Sequence, residues 1–104
     1  MKRPVLCPVT AQLLSGYFHQ DWDMEHRDAD EVLAAAIAHA PADRLRAGVD
    51  ELTELLGRGL SEPELEKLLH SVLHLDYVPT ADGLSYAQWL QQVRDRFAKA
   101  VQPR

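Results

Sequence analysis

The sequence lacks the cysteine pair that a disulfide bond needs and the long apolar run that a membrane span needs. Cys7 is the one cysteine among 104 residues, so no internal disulfide can form and a reducing compartment is the simplest expectation. No apolar run approaches the ~20 residues that a membrane-spanning helix needs. The apolar stretch near the N-terminus is too short for a signal peptide, and Pro4 and Pro8 interrupt it. We therefore expect a soluble cytoplasmic protein with no membrane partner.

The chain also lacks a surplus of basic residues. Eleven lysines and arginines stand against sixteen aspartates and glutamates, which gives a formal net charge of −5. An imbalance of this sign argues against direct binding of nucleic-acid phosphates and suits a protein that meets a basic partner. With 46 % hydrophobic residues, the composition predicts a single folded domain over residues 1–104 with one core.

The charge imbalance lies entirely in one segment. Residues 21–31 carry six acids and one base, whereas the remaining sequence has ten of each. The six acids are Asp21, Asp23, Glu25, Asp28, Asp30 and Glu31. A solvated surface is the ordinary explanation of an acidic run, but the density of this one also supports a binding role.

Helical spacing of apolar residues dominates, and alternating runs typical of strands are scarce. We predict five helices: about 9–18, one starting at Asp28, about 42–56, one after Ser61 and one after Ser85. Three capping patterns mark helix starts: Asp28 with Glu31, Ser61 with Glu64, and Ser85 with Gln88. Gly57 and Gly59 are free to adopt the positive φ of a helix C-cap. Short helices with short connections predict an all-α fold, a small antiparallel bundle of about five helices.

Two histidine groups have residue types suited to chemistry. His19, Asp21, Asp23 and His26 could serve a small metal-dependent hydrolase, but no glycine-rich loop, nucleophile elbow or nearby lysine completes such a site. Local hydrogen bonds that fix the turn between the first two helices are the explanation we favour for His19 and Asp21, with Trp22 filling the core.

His70 and His74 are spaced i, i+4, which on a helix can place two imidazoles on one metal. The glutamate of an H-E-x-x-H motif is missing, and histidines at the boundary of a helix are the alternative. We expect no catalytic residue, no metal and no cofactor.

Two blocks of sequence resemble the contact-dependent growth inhibition immunity proteins. The first block is residues 14–23 (LSGYFHQDWD), followed by the helix start at residues 30–33 (DEVL). The second comprises residues 76–79 (DYVP) and 83–90 (GLSYAQWL). The blocks occur in the expected order, and the resemblance covers nearly the whole chain. It departs from the family pattern at Ala87 and Gln88, where charged residues are frequent.

The resemblance implies a small helical cytoplasmic protein that is an inhibitor and not an enzyme. Its relatives bind the C-terminal toxin domain that a neighbouring cell delivers. Such toxins are often nucleases and hence often basic, which suits an acidic binder. A non-toxin adaptor module remains an alternative, and the sequence leaves the oligomeric state open.

The resemblance also separates structural residues from those that select the partner. A motif shared by inhibitors of unrelated toxins is poorly suited to distinguish among them. We therefore predict a structural role for Tyr17, His19, Asp21, Trp22, Tyr86 and Trp89, with both tryptophans largely buried. The partner-binding candidates are Asp23, Glu25, Asp28 and Asp30, followed by the outer faces of the third and fourth predicted helices.

Overall fold

The computed structural model describes residues 7–19, 22–25 and 27–102, with the backbone alone at 23 and 25, and within these residues it has six α-helices. They are α1 (Pro8–Ser15), α2 (Trp22–Glu25), α3 (Ala29–Ala38), α4 (Ala42–Gly57), α5 (Glu62–Lys67) and α6 (Tyr86–Ala100). A π-helical turn, Leu68–Val72, continues α5, and a short 3₁₀ helix, Pro79–Asp82, precedes α6. The described residues contain no strand, so the predicted all-α class is confirmed.

Side-chain caps determine where three of these helices begin. Asp28 accepts a hydrogen bond from the backbone amide of Glu31 at 2.9 Å, as predicted, while the Glu31 carboxylate accepts from the backbone amide of Arg27 at 3.4 Å. The two serine patterns form complete capping boxes: Ser61 with Glu64, and Ser85 with Gln88. Because each cap satisfies amides that lack a partner within the helix, these starts follow from local sequence.

The end of α5 departs from the predicted regular helix. The Leu73 amide bonds the Leu68 carbonyl, five residues back, and the Leu75 amide bonds the Leu69 carbonyl. His74 between them has a left-handed φ of 57°. This widened turn leads the chain into a segment without regular secondary structure, residues 74–78. Of the two glycines considered as C-caps, Gly59 has a positive φ of 66°, whereas Gly57 remains helical as the last residue of α4.

The two longest helices, α4 and α6, pack closely against each other. A Cβ added at Gly48 on α4 would lie 2.9 Å from Cε2 of Phe97 on α6, so glycine permits this close approach. Helix α4 also lies antiparallel to α1, because Glu51 contacts Thr10 while Arg44 bonds Gln12.

Helices α3 and α6 share a seam and run in the same direction. Asp30, in the first turn of α3, forms an ion pair with Arg96. Residues of α3 near position 30 border a groove with Gln92, and residues 34–38 border one with residues 96–100. The core beneath the helices is made of large apolar side chains with 0 % exposure: Leu14, Phe18, Val32, Leu52, Leu55, Leu69, Leu73, Leu90, Val93 and Phe97. No helix within the described ranges is long and apolar enough to cross a membrane.

Candidate functional site

The two sequence blocks that carry the family resemblance meet in space. The Asp76 amide donates a hydrogen bond to the Phe18 carbonyl at 2.8 Å. The Trp22 indole N–H donates to the Asp76 carbonyl at 2.7 Å. The His19 carbonyl accepts from the Trp22 amide at 3.0 Å, which closes the turn that leads into α2. These bonds attach the end of α1 and the start of α2 to the irregular segment 74–78.

Four aromatic rings pack together at this junction. Tyr77 lies 4.9 Å from Trp89, 5.5 Å from Phe18 and 5.7 Å from Trp22, measured between ring centroids. Phe18 meets Trp89 edge-on at 5.5 Å. Offset and edge-on contacts of this kind add stability beyond the buried area. Trp89 is only 3 % exposed, as predicted, whereas Trp22 is partly exposed because its indole lies at the rim of the cluster.

Tyr17, His19 and Asp21 also have a predicted structural role. Tyr17 is partly exposed and stacks on His39, with ring centroids 6.3 Å apart and planes inclined by 17°. His19 is partly buried, and its carbonyl takes part in the turn described above. Asp21 lies outside the described residues, so its role stays a prediction.

Tyr86 belongs to a polar network at the start of α6. Its hydroxyl lies 3.0 Å from Nε2 of His70, whose Nδ1 lies 3.0 Å from the Leu75 carbonyl. A carbonyl only accepts, so Nδ1–H must donate to it, and in the neutral imidazole Nε2 then accepts from the Tyr86 hydroxyl. Burial, with Glu66 and Glu62 nearby, raises the pKa of Tyr86. The side chains of Tyr86 and His70 therefore have hydrogen-bond partners within the fold.

The same geometry bears on the candidate metal pair His70–His74, at which we expected no metal. Both ring nitrogens of His70 have protein partners, and His74 is exposed beyond the last helical residue with a left-handed φ. The two imidazoles therefore do not share a helix face. Among the described residues, no group of three or more His, Cys, Asp or Glu side chains could hold a metal ion. The other proposed cluster depends on Asp21, Asp23 and His26, and these side chains lie outside the described part.

Two glutamates cap helices that are distant in sequence. Glu51 on α4 accepts from the amides of Val9 and Thr10 at 3.1 and 2.8 Å and from the Thr10 hydroxyl at 2.8 Å. Glu62 on α5 accepts from the amides of Tyr86 and Ala87 at 2.7 and 3.1 Å. A carboxylate at a helix N-terminus satisfies free amides and complements the helix dipole.

Cys7 lies directly before α1 and is 1 % exposed. Burial, followed by the charges of Glu51 and Glu54, raises the pKa of Cys7 to about 11. A buried thiol that stays protonated at neutral pH is a poor nucleophile. Cys7 is therefore a core residue and not a candidate nucleophile.

Two of the four partner-binding candidates are described with their side chains. Asp28 and Asp30 are both exposed, and both border a cleft of about 180 Å³ between the start of α3, the 3₁₀ helix and α6. Asp82 borders the same cleft, and its carboxylate accepts from the Tyr77 hydroxyl at 2.6 Å. Burial and this bond to Asp82 raise the pKa of Tyr77 above its usual range. The side chains of Asp23 and Glu25 lie outside the part of the chain that the structure describes.

Sequence reasoning did not find Asp82 or Gln92 as neighbours of the acidic segment. Both border the cleft, although they lie more than 50 residues along the chain from Asp28. Next to Asp82, Gly83 ends the 3₁₀ helix with a positive φ of 76°. Only the packing of α3 and of the 3₁₀ helix against α6 brings these residues together.

The fold and this site define a small all-α domain with an aromatic cluster under an exposed acidic cleft. Comparison with protein families matches residues 7–97 to the CdiI immunity protein model, and the chain therefore belongs to the CdiI immunity protein family. No curated protein matches the chain.

A solved structure supports the same relationship. The chain is similar to one in the crystal structure of a CdiA-CT/CdiI complex from Y. kristensenii 33638. The two are 30 % identical, with a TM-score of 0.79, and the match covers 86 % of this chain and 91 % of the other. The predicted family is therefore confirmed over most of the sequence.

Proposed function

We propose that this protein binds and neutralises the C-terminal toxin domain of a cognate contact-dependent growth inhibition system. The observation that carries the proposal is the match, over most of both chains, to a chain from a CdiA-CT/CdiI complex. The protein acts as a stoichiometric inhibitor and not as an enzyme. It works in the cytoplasm of the cell that receives the toxin, where it is in place before the toxin arrives.

Charge supports a binding role for the exposed surface near α3. The net charge of −5 lies in residues 21–31, and Asp28 and Asp30 are exposed there. Clustered charge of one sign speeds encounter with a partner of opposite sign. An interface of standard size buries ~1,600 Å² in total, enough to cover the working face of a small toxin domain. Inhibition by occlusion follows from an interface of that size.

The proposal is tested by expressing this protein together with the C-terminal domain of the protein whose gene lies directly upstream of its own. We expect cells that express this domain alone to stop growing, and cells that also express the protein to grow and to yield a stable complex on gel filtration. A toxin domain from an unrelated system is the matched control and should be neither bound nor neutralised. A folded protein that neither binds the upstream domain nor restores growth would instead support the adaptor alternative.

A further inference from the structure

Met24 and Val78, 83 % and 45 % exposed, are the two large hydrophobic residues exposed in the part of the chain that the structure describes. A single exposed apolar side chain is ordinary on a protein surface. These two differ because both lie next to one contact, the 2.7 Å hydrogen bond from the Trp22 indole to the Asp76 carbonyl. Each follows one partner of that bond by two residues. A standard interface covers ~800 Å² of each protein, a patch about 30 Å across, which is wide enough to include both.

The backbone that carries these side chains is held by the aromatic cluster. Helix α2 has only four residues, too few to be stable without tertiary contacts. Its first residue, Trp22, attaches it: the Trp22 amide donates to the His19 carbonyl at 3.0 Å, and the ring meets Tyr77 edge-on at 5.7 Å. Tyr77 is 3 % exposed and directly precedes Val78. Both elements are therefore ordered before a partner arrives, which lowers the entropy lost on binding.

The composition of this surface is typical of a protein interface. Methionine and tryptophan are enriched at interfaces, and Trp22 is itself partly exposed. An unbranched thioether also adapts its shape to the surface that it meets. Because most of its surface faces solvent, Met24 adds little to the core, so packing within the fold does not explain an apolar residue at this position.

The surrounding charge indicates the kind of partner. Met24 lies within residues 21–31, which carry six acids and one base, and Asp76 is exposed beside Val78. A surface of this charge attracts a basic one and repels an acidic one. The matching partner is a basic protein surface with apolar depressions.

From these observations we propose that α2 and residues 76–78 form the centre of the surface that binds the toxin domain, with Met24 and Val78 as apolar anchors. The partner is a basic face of that domain. This inference rests on the proposed function and adds where the toxin docks. The acids attract the toxin domain over a distance, whereas the two anchors act only in contact. Charge therefore sets the association rate, and the anchors set the dissociation rate.

The test truncates both proposed anchors. The double variant Met24→Ala and Val78→Ala removes apolar contact and leaves the net charge at −5. The matched control, Gln91→Ala with Thr53→Ala, truncates side chains of similar size at exposed positions of α6 and α4. Its α4 position also samples a surface that the sequence made a competing candidate. Rates of binding to the upstream-encoded toxin domain are measured by surface plasmon resonance at two salt concentrations, after circular dichroism shows that both variants are folded.

We expect the anchor variant to raise Kd at least ~10-fold through faster dissociation, with an association rate within ~3-fold of the wild type and an unchanged salt dependence. The control should change Kd less than ~3-fold. Equal losses in the two variants, or a larger loss in the control, together with tight binding by the wild-type protein, would overturn this placement of the interface and leave the proposed function intact. Failure of the wild-type protein to bind would remove both.

Oxidation of Met24 gives a second readout that needs no substitution. Hydrogen peroxide converts the thioether of an accessible methionine to the sulfoxide, and a partner that covers the side chain shields it from the oxidant. We expect bound toxin domain to slow the oxidation of Met24 at least ~5-fold, measured by mass spectrometry of the peptide that contains it. Equal oxidation rates in the free protein and in the saturated complex would place Met24 outside the interface and overturn the proposal.

Discussion

At the scale of single residues, the aromatic cluster connects the two sequence blocks. Local pattern was sufficient to predict that Trp89 is buried, because it lies on the apolar face of a capped helix. The position of Trp22 at the rim of the cluster is set by the hydrogen bond between its indole and the carbonyl of Asp76, which lies 54 residues along the chain. No local pattern contains that contact. The structural roles assigned to Tyr86, Trp89 and Asp21 stay predictions.

Substitution of the two tryptophans separates packing from hydrogen bonding. Trp89→Ala removes a ring that is 3 % exposed and should lower the free energy of unfolding by ~3–5 kcal/mol. Trp22→Phe keeps a ring at the rim of the cluster but loses the indole donor, so we expect a loss of ~1 kcal/mol. Urea unfolding followed by circular dichroism measures both. A Trp89→Ala loss below about 1 kcal/mol would show that the cluster does not stabilise the fold.

At the scale of helices, the chain uses both local caps and caps from distant helices. The caps at Asp28, Ser61 and Ser85 were predictable because donor and acceptor lie three residues apart. The Glu51 and Glu62 caps could not be predicted, since 42 residues separate Val9 from Glu51 and 24 separate Glu62 from Tyr86. The π-helical turn after α5 was missed for a related reason, because Leu68–Val72 has the apolar spacing of an ordinary helix.

The Glu51 cap should contribute measurably to stability. Glu51→Ala leaves the Thr10 amide and hydroxyl without their acceptor, and Thr10 is 0 % exposed. We expect the free energy of unfolding to fall by about 2 kcal/mol, the cost of leaving buried polar groups unsatisfied. Asp50→Ala, at the neighbouring exposed position of α4, should change it by less than ~0.5 kcal/mol. Equal effects in chemical denaturation would contradict a specific capping role.

Two glycines of α4 should respond in opposite directions to alanine. Gly48→Ala brings a Cβ to 2.9 Å from the buried Phe97 ring, so we expect a loss of ~1–3 kcal/mol despite the better helix propensity of alanine. Gly57→Ala meets nothing within 4 Å and should raise the free energy of unfolding by ~0.4–1 kcal/mol. Thermal unfolding of both variants compares them directly. A stabilising Gly48→Ala would mean that α4 and α6 pack less closely than the structure shows.

At the scale of the whole molecule, the excess negative charge lies in one segment, residues 21–31. The all-α class and the family were predictable because both depend on patterns that run along the chain. The cleft was not, because it forms where α3, the 3₁₀ helix and α6 meet. Of the predicted partner-binding residues, Asp28 and Asp30 border that cleft, whereas no local pattern indicated that Asp82 or Gln92 would do so.

Removal of charge from the acidic segment should slow encounter with the toxin domain. The combined variant Asp23→Asn, Glu25→Gln, Asp28→Asn and Asp30→Asn should lower the association rate by roughly 10-fold at low salt and weaken its salt dependence. Asparagine at position 28 keeps the helix cap. The control neutralises four acids elsewhere, Asp43, Asp50, Glu54 and Glu66, and should slow association less. Stopped-flow rates that are unchanged in the first variant would identify residues 21–31 as a merely solvated surface.

Stoichiometric binding of the toxin domain is the central claim, and calorimetric titration tests it most directly. The purified protein is titrated with the C-terminal domain encoded directly upstream, with both partners shown to be folded. We predict that the heat of binding saturates at one molecule of this protein per toxin domain, because an inhibitor that covers the active face of the toxin binds it one to one. Absence of saturable binding between the two folded partners would contradict the account.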